Sequence, residues 1–129
     1  MRTRRVAATC IKSIVCGIAL GIMSLIQGCD FFAAPPVSIT FRQSYITGYV
    51  MQLHNRSDNR IVVQVYVEND ELNQHGSISV GIEPHGMEEL GLLEMGWAFM
   101  PGEEGYVSVD GYMRKVNFEI KKSGQYRTW

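Results

Sequence analysis

Cysteine is scarce in this sequence, and all of it lies near the start of the chain. The three cysteines are Cys10, Cys16 and Cys29, so the 100 residues from Asp30 onward contain none. That part of the chain can form neither a disulfide nor a cysteine-ligated metal site. We therefore expect it to be stabilised by a packed core, which about 100 residues can build as a single domain.

Helical spacing is the second absence. After Pro36, no window keeps apolar residues at positions i, i+3, i+4 and i+7 for long enough to predict a stable helix, although residues 88–95 have room for one turn. A helical bundle is therefore excluded, and the secondary structure has to be built from strands.

Catalytic and cofactor motifs are also missing. The sequence has no Gly-x-Ser-x-Gly elbow, no glycine-rich phosphate loop and no cysteine with a histidine partner. The metal hypothesis rests on a loose set of side chains without the close ligand pairs of a zinc site. Its members are Glu83, His85, Glu88, Glu89, His54 and His75. Residues 68–73 are rich in oxygen ligands but lack the EF-hand pattern. We expect no metal, no cofactor and no enzymatic activity.

Positive charge is absent from the middle of the chain. Between Ile61 and Met113 there is no lysine or arginine, whereas from Asp30 onward eight basic and thirteen acidic residues give a formal charge of −5. This sign disfavours nucleic acid as a partner. Four glutamates in predicted loops and strand ends are candidates for a contact surface: Glu88, Glu89, Glu103 and Glu104. The alternative is that the basic end of the chain lies beside them and neutralises them.

What the sequence does contain is alternation of apolar and polar residues, the pattern of half-buried strands. The predicted strands are 37–42, 46–54, 61–68, 77–82, 87–92, 106–110 and 115–121, and turn-forming residues separate them. About seven strands in residues 37–129 predict an all-β, immunoglobulin-like or fibronectin-type β-sandwich. The cysteine pair and the strand-C tryptophan of true immunoglobulin domains are missing, and a small, partly open barrel is the alternative.

The start of the chain has the layout of an export signal. Arg2, Arg4 and Arg5 precede an apolar run over residues 14–26. That run leads into Leu25-Ile26-Gln27-Gly28-Cys29, which resembles the lipobox of bacterial lipoproteins. The resemblance implies that residues 1–28 are a signal peptide, that the chain is cut between Gly28 and Cys29, and that the Cys29 sulfur carries a diacylglyceryl group. An uncleaved membrane anchor over residues 11–28 is the alternative, but a spanning helix needs about 20 apolar residues.

The residues that follow Cys29 suggest where the protein is sorted. Asp30 resembles the inner-membrane retention signal of enterobacterial lipoproteins, so we expect a lipid-anchored protein of the bacterial cell envelope, with preference for the periplasmic face of the inner membrane. Residues 29–36 would form the lipidated cysteine and a tether that ends in two prolines. Phe31 and Phe32 would lie in the lipid interface or pack onto the domain.

Residues 91–102 concentrate tryptophan, phenylalanine and methionine, which are enriched at protein interfaces. Trp97 and Phe99 are therefore candidates for the contact surface. The alternative is that this segment is a core plug that closes one end of the sandwich.

These features together predict a membrane-anchored envelope lipoprotein whose β-sandwich is a non-catalytic interaction or structural module. Its partners would be the membrane, through the N-terminal lipid, and another envelope protein. The alternative is a domain that binds a small ligand or a glycan on Trp97, Tyr106 or Tyr112. A hydrolase built on Ser77 or Ser108 comes third.

Overall fold

The computed structural model describes residues 32–129, in which eight strands and one helical turn follow each other along the chain. They are β1 Val37–Gln43, β2 Tyr49–Asn55, β3 Ile61–Asn69, β4 Gln74–Ile82, β5 Met87–Leu90, α1 Leu92–Met95, β6 Glu104–Val109, β7 Val116–Ile120 and β8 Tyr126–Thr128. Nowhere in this range is there a helix with the length and apolar character needed to cross a membrane.

The strands form two antiparallel sheets. One has the order β1-β2-β5, and the other has the order β4-β3-β6-β7-β8. In immunoglobulin-like sandwiches, strands A, B and E share one sheet and strands C, F and G share the other. Here β1, β2 and β5 take the first set of places and β3, β6 and β7 take the second. The predicted all-β sandwich is confirmed.

The core lies between the two sheets and is made by the inward-facing residues of their strands. Phe99 and Phe118 are its largest fully buried side chains, and the ring of Phe41 lies 5.6 Å from each of them, centroid to centroid. The aliphatic part comes from both sheets: Val37, Ile39, Met51, Leu53 and Leu90 from the first, and Ile61, Val63, Val65, Val67, Ile82, Val107, Val109 and Ile120 from the second. Because this core is continuous, the described residues form one packed sandwich without a disulfide.

The structure differs from the predicted strands at several places. The fourth strand begins at Gln74, three residues before the predicted start, and the fifth ends at Leu90, because Leu92 begins α1. The second strand begins at Tyr49, not at residue 46, because residues 44–48 form a turn that Gly48 completes at a positive φ of 67°. Ile46 therefore lies outside the sheet and is exposed. The eighth strand, β8, was not predicted. It pairs with the end of β7 and places Arg127 opposite Glu119.

Candidate functional site

The predicted lipoprotein signal lies outside the described residues. This concerns the cleavage position Gly28, the lipidation residue Cys29 and the sorting residue Asp30. The end of the predicted tether is described, and it belongs to the sandwich: Pro35 is buried, and the carbonyl oxygen of Pro36 accepts a hydrogen bond from the backbone N–H of Arg56 at 2.8 Å. Residues 35 and 36, which were predicted to belong to the tether, are therefore part of the sandwich.

Pro36 leads into β1 at the end of the sandwich that also holds the loops 56–60, 83–86 and 110–115. We call this the tether end. The opposite end, called the distal end, is made by the turns 44–48, 70–73 and 121–125 and by the connection 91–103. Strand β1 runs from the first end to the second, since it starts at Val37 and stops at Gln43.

A single buried amide organises the tether end. Asn55 is 2 % exposed, and its Nδ2 donates to the carbonyl oxygens of Asn59, Ile82 and Glu83 at 2.7, 3.1 and 3.1 Å. Its Oδ1 accepts from the backbone N–H and the hydroxyl of Ser57 at 2.9 and 2.8 Å. The side chain therefore uses both of its polar groups to join the β2–β3 loop to the β4–β5 turn.

Two pairs of polar side chains also link these two loops. Arg60 Nε lies 3.1 Å from Glu83 Oε1, and His85 Nε2 lies 2.6 Å from Asp58 Oδ1. The third loop of this end is different, because Met113 there is 58 % exposed and is followed directly by Arg114.

At the distal end an apolar groove is open to solvent. It has a volume of about 280 Å³ and is lined by Arg42, Ser44, Tyr45, Ile46, Val50, Leu92, Leu93 and Glu94; we call it the distal groove. The β1–β2 turn contributes Tyr45, which is 98 % exposed, and α1 contributes Leu93, which is 81 % exposed. Between these segments lies Val50, which is buried although it belongs to the outer face of its sheet. Single exposed apolar side chains are common, but a contiguous group of them, such as the one around this groove, marks an interaction site.

An ion pair stands at the rim of the distal groove. Arg42 Nε donates to Glu89 Oε2 at 2.5 Å, and Gln52 Nε2 approaches the same oxygen at 3.4 Å. The hydrogen bond from Arg42 lowers the pKa of Glu89, and it raises the pKa of Arg42 in turn. Glu94 makes no ion pair within residues 32–129, although its charge acts on Arg42, so Arg42, Glu89 and Glu94 together leave one excess negative charge at the groove.

Two residues of the predicted contact surface are buried, and that part of the prediction is wrong. Phe99 is a core residue with 0 % exposure, because a β-bridge to Tyr49 draws its strand-like segment onto the first sheet. Glu103 is 3 % exposed and accepts hydrogen bonds from Trp97 Nε1 at 2.9 Å and from Asn69 Nδ2 at 3.2 Å. Trp97 itself is half-buried and packs against the core. The segment 91–102 thus closes the sandwich with these residues.

The remaining predicted contact glutamates lie on the surface. Glu88 and Glu104 are exposed, and Glu89 is the partner of Arg42. The basic end of the chain pairs elsewhere: Arg127 with Glu119 at 2.7 Å and Lys122 with Glu71 at 3.0 Å. The predicted neutralisation of the four glutamates by that basic end is therefore not what the described residues show.

The outer face of the five-stranded sheet carries a stack of side chains. The rings of His75 and Tyr66 lie 6.2 Å apart, those of Tyr66 and Tyr106 lie 5.2 Å apart, and Lys115 Nζ lies 3.9 Å from the centroid of Tyr106. Strand order places Tyr66 and Lys115 on opposite sides of the Tyr106 ring. Burial raises the pKa of Tyr66, and the charge of Glu68 adds to this effect.

This stack bears on the alternative of a glycan-binding domain. Sugars stack on open aromatic faces, whereas the Tyr106 ring is stacked on Tyr66 and has the Lys115 ammonium beside it. Tyr112 is packed against the core, and Trp97 is held by Glu103. The three aromatic residues predicted as stacking platforms are therefore engaged inside the domain.

The predicted catalytic and metal alternatives also find their residues dispersed. Within residues 32–129 no three His, Cys, Asp or Glu side chains are placed to hold a metal ion together. Ser77 and Ser108 line an open groove of about 440 Å³ with a mixed polar and apolar lining, beside Gln64 on the outer face of the five-stranded sheet. Neither hydroxyl is within hydrogen-bond distance of a histidine in the described part, whereas an activated nucleophile needs a base within reach.

Comparison of the chain with protein-family models, with curated proteins and with solved structures finds no match.

Proposed function

We propose that the protein is a lipid-anchored lipoprotein of the bacterial cell envelope whose β-sandwich is a non-catalytic protein-interaction module. Two observations support this. The residues from Leu25 to Cys29 resemble a lipobox, and the described domain exposes an apolar groove at the end away from its chain entry. The distal groove carries the proposal, because an exposed apolar surface on a small domain needs a partner.

The dimensions of the distal groove favour a protein side chain over a free small ligand. Pockets for small molecules enclose about 300–1,000 Å³ and bury most of the ligand. The distal groove has about 280 Å³ and is open, with Tyr45 and Leu93 standing beside it. Protein interfaces are anchored by a few large side chains that enter such grooves. The excess negative charge at the groove would favour a basic residue beside that anchor.

The position of the groove suits a tethered protein. The seven residues of β1 separate the tether end from the groove, which is about 20 Å at the rise of an extended strand. A domain tethered at that end can therefore present its distal groove away from the lipid surface, where another envelope protein can reach it.

The anchor is tested by Cys29→Ala in the full chain. We expect this variant to incorporate no labelled fatty acid and to escape cleavage between Gly28 and Cys29, since the sulfur of Cys29 is the proposed attachment point. Mass spectrometry of the purified chain measures both effects. Fatty acid on the variant would contradict the anchor.

The groove is tested by placing a photo-crosslinking amino acid at Leu93 of the full chain in intact envelopes. We expect a discrete protein adduct that disappears when Ile46→Glu is added, because a charge inside the groove opposes burial of an apolar anchor. Leu72 provides the matched control, since it is 64 % exposed in the β3–β4 turn outside the groove. Equal adducts from positions 93 and 72, or adducts indifferent to Ile46→Glu, would contradict a docking groove.

A further inference from the structure

The tether end differs in charge from the rest of the domain. Its three loops carry four basic and three acidic residues: Arg56, Arg60, Arg114 and Lys115 against Asp58, Glu83 and Asp110. The loops of the distal end carry two basic and four acidic residues: Lys121 and Lys122 against Asp70, Glu71, Glu94 and Glu103. The formal charge is therefore +1 at the tether end and −2 at the distal end, in a mature chain of −5.

The ion pairs at the tether end increase its difference in available charge from the distal end, because they involve two of its carboxylates but leave two of its arginines unpaired within residues 32–129. Asp58 and Glu83 are already engaged, with His85 and Arg60. Within residues 32–129, neither Arg56 nor Arg114 makes an ion pair. Both side chains are exposed, so two guanidinium groups at this end are available to an anion outside the domain.

The loop 110–115 adds an apolar element to these cations. Met113 is 58 % exposed at this loop, while its neighbour Tyr112 is packed against the core. Arg114 and Lys115 follow directly in the sequence. An apolar side chain with cations beside it is the combination that seats a surface segment at the boundary between lipid headgroups and acyl chains.

We infer that the tether end is a membrane-docking surface: Met113 enters the headgroup region of an anionic bilayer while Arg56 and Arg114 bind its phosphate groups. This inference rests on the proposed function, because a lipid on Cys29 brings the same end of the domain to the bilayer. Residues 29–34 reach at most about 20 Å when fully extended. The attraction between a cation and a charged lipid surface falls off within about 8 Å at physiological salt. The tether therefore supplies proximity, and contact by the loops fixes which end faces the lipid.

A bilayer fits this surface better than a protein partner does. The available cations come from two loops, and the exposed methionine stands alone, without the grouped apolar anchors of the distal groove. A basic surface is a known second membrane signal beside a lipid anchor, and here it would act on the orientation of the domain. The negative distal end would be repelled by the same lipids, which orients the domain further.

The test uses the full chain with a nitroxide-quenchable fluorophore at Met113→Cys, and a second chain labelled at Leu93→Cys on the distal end. Both are reconstituted into vesicles that contain phosphatidylglycerol, or into vesicles of phosphatidylcholine alone, with a nitroxide on the lipid headgroups. We expect strong quenching at position 113 only in the anionic vesicles and weak quenching at position 93 in both. Raising the salt concentration should reduce the quenching at position 113.

Two double variants with the same loss of charge locate the effect. Arg56→Gln with Arg114→Gln should lower the ratio of docked to undocked domains by up to about 30-fold, since each cation at an anionic surface contributes about fivefold. Lys121→Gln with Lys122→Gln should leave it unchanged. Equal effects of the two pairs, or equal quenching at positions 113 and 93, would overturn the docking surface. Protection of position 113 in native envelopes but not in vesicles would also overturn it, in favour of a protein contact.

The lipid anchor and the docking surface are tested by separate measurements. Flotation with vesicles and the mass of the chain report the lipid on Cys29. A chain that begins at position 29 with Cys29→Ala, and so lacks both the signal segment and the lipid, reports docking without the anchor when it is added to an excess of anionic vesicles. Preferential quenching at position 113 in that chain supports the docking surface even if the lipid anchor is disproved. If neither that chain nor the anchored chain shows preferential quenching at position 113, the docking surface is rejected.

Discussion

Replacing Asn55 by aspartate is a demanding test of how the tether end is held together. The substitution keeps the shape of the side chain but exchanges the Nδ2 group for a carboxylate oxygen. The carbonyl oxygens of Asn59, Ile82 and Glu83, which accept from Nδ2 at 2.7 to 3.1 Å, would then face an acceptor in place of a donor. A buried charge without a partner costs about 3–5 kcal/mol. We expect a loss of that size in the free energy of unfolding, against a total of about 5–15 kcal/mol for a domain of this kind.

Urea unfolding followed by circular dichroism measures the loss, and Asn59→Asp provides the control. It places the same charge in the same loop, but the side chain of Asn59 is exposed and makes no hydrogen bond within the described residues. A surface change of this kind stays within about 0.5 kcal/mol. Equal losses for the two variants would refute the role assigned to Asn55.

The same variant carries a pH test with a defined sign. A protonated aspartic acid regains one O–H donor for the carbonyl oxygens, and burial raises the pKa of the new carboxyl group above its ordinary value of about 4. The folded variant therefore binds a proton more readily than the unfolded one, and its deficit relative to the native chain should shrink as the pH falls towards 4. A deficit that is independent of pH would show that the charge is not what destabilises the variant.

Two further predictions concern the buried carboxylate of Glu103 and the carboxylate of Glu89 at the rim of the distal groove. Trp97→Phe removes the N–H donor of the hydrogen bond to Glu103 at 2.9 Å, and it should lower the free energy of unfolding in urea by about 2 kcal/mol. Trp129→Phe is the control, since Trp129 is exposed and its substitution should change this free energy little. Equal losses for the two variants would contradict the role of the hydrogen bond. Arg42 lowers the pKa of Glu89, so the pair stabilises the fold above pH 4.5 and its contribution is lost as the pH falls through the lowered value. The Glu89→Gln variant should therefore be less stable than the native chain at neutral pH and equally stable in acid. Thermal unfolding at a series of pH values measures this difference. A loss of stability that persists in acid would contradict the pairing of Glu89 with Arg42.

The strands could be predicted because burial of one face imposes period-two alternation, and β3 shows this most clearly over Ile61–Asn69. The eighth strand could not be predicted, because Tyr126–Thr128 is three residues long and all three are exposed. Such a strand is defined by its partner on β7, and the sequence does not encode that pairing locally.

The distal groove was missed for a different reason. The prediction placed Ile46 and Leu92 at the ends of strands, yet both belong to adjacent apolar pairs, with Tyr45 and Leu93. Neighbouring residues on a strand point to opposite faces, so such a pair cannot bury both members in one core. That broken alternation is the signal that would have identified them as surface residues. No comparable signal marks Glu103 as buried.

The order of strands in the two sheets governs how this chain can reach its folded state. Met51 pairs with Leu90, 39 positions later, and Val63 pairs with Val109, 46 positions later. Long loops must close before these contacts form, and domains dominated by such pairings fold in about milliseconds to seconds. The hairpins β1–β2 and β3–β4 form from neighbouring segments of the chain, so we expect them to form before β5 and β6 join the sheets. Until then their apolar faces are exposed to water. A growing chain that stopped before Val109 would hold two such hairpins without the strand that completes the larger sheet, and it would be prone to aggregate through them.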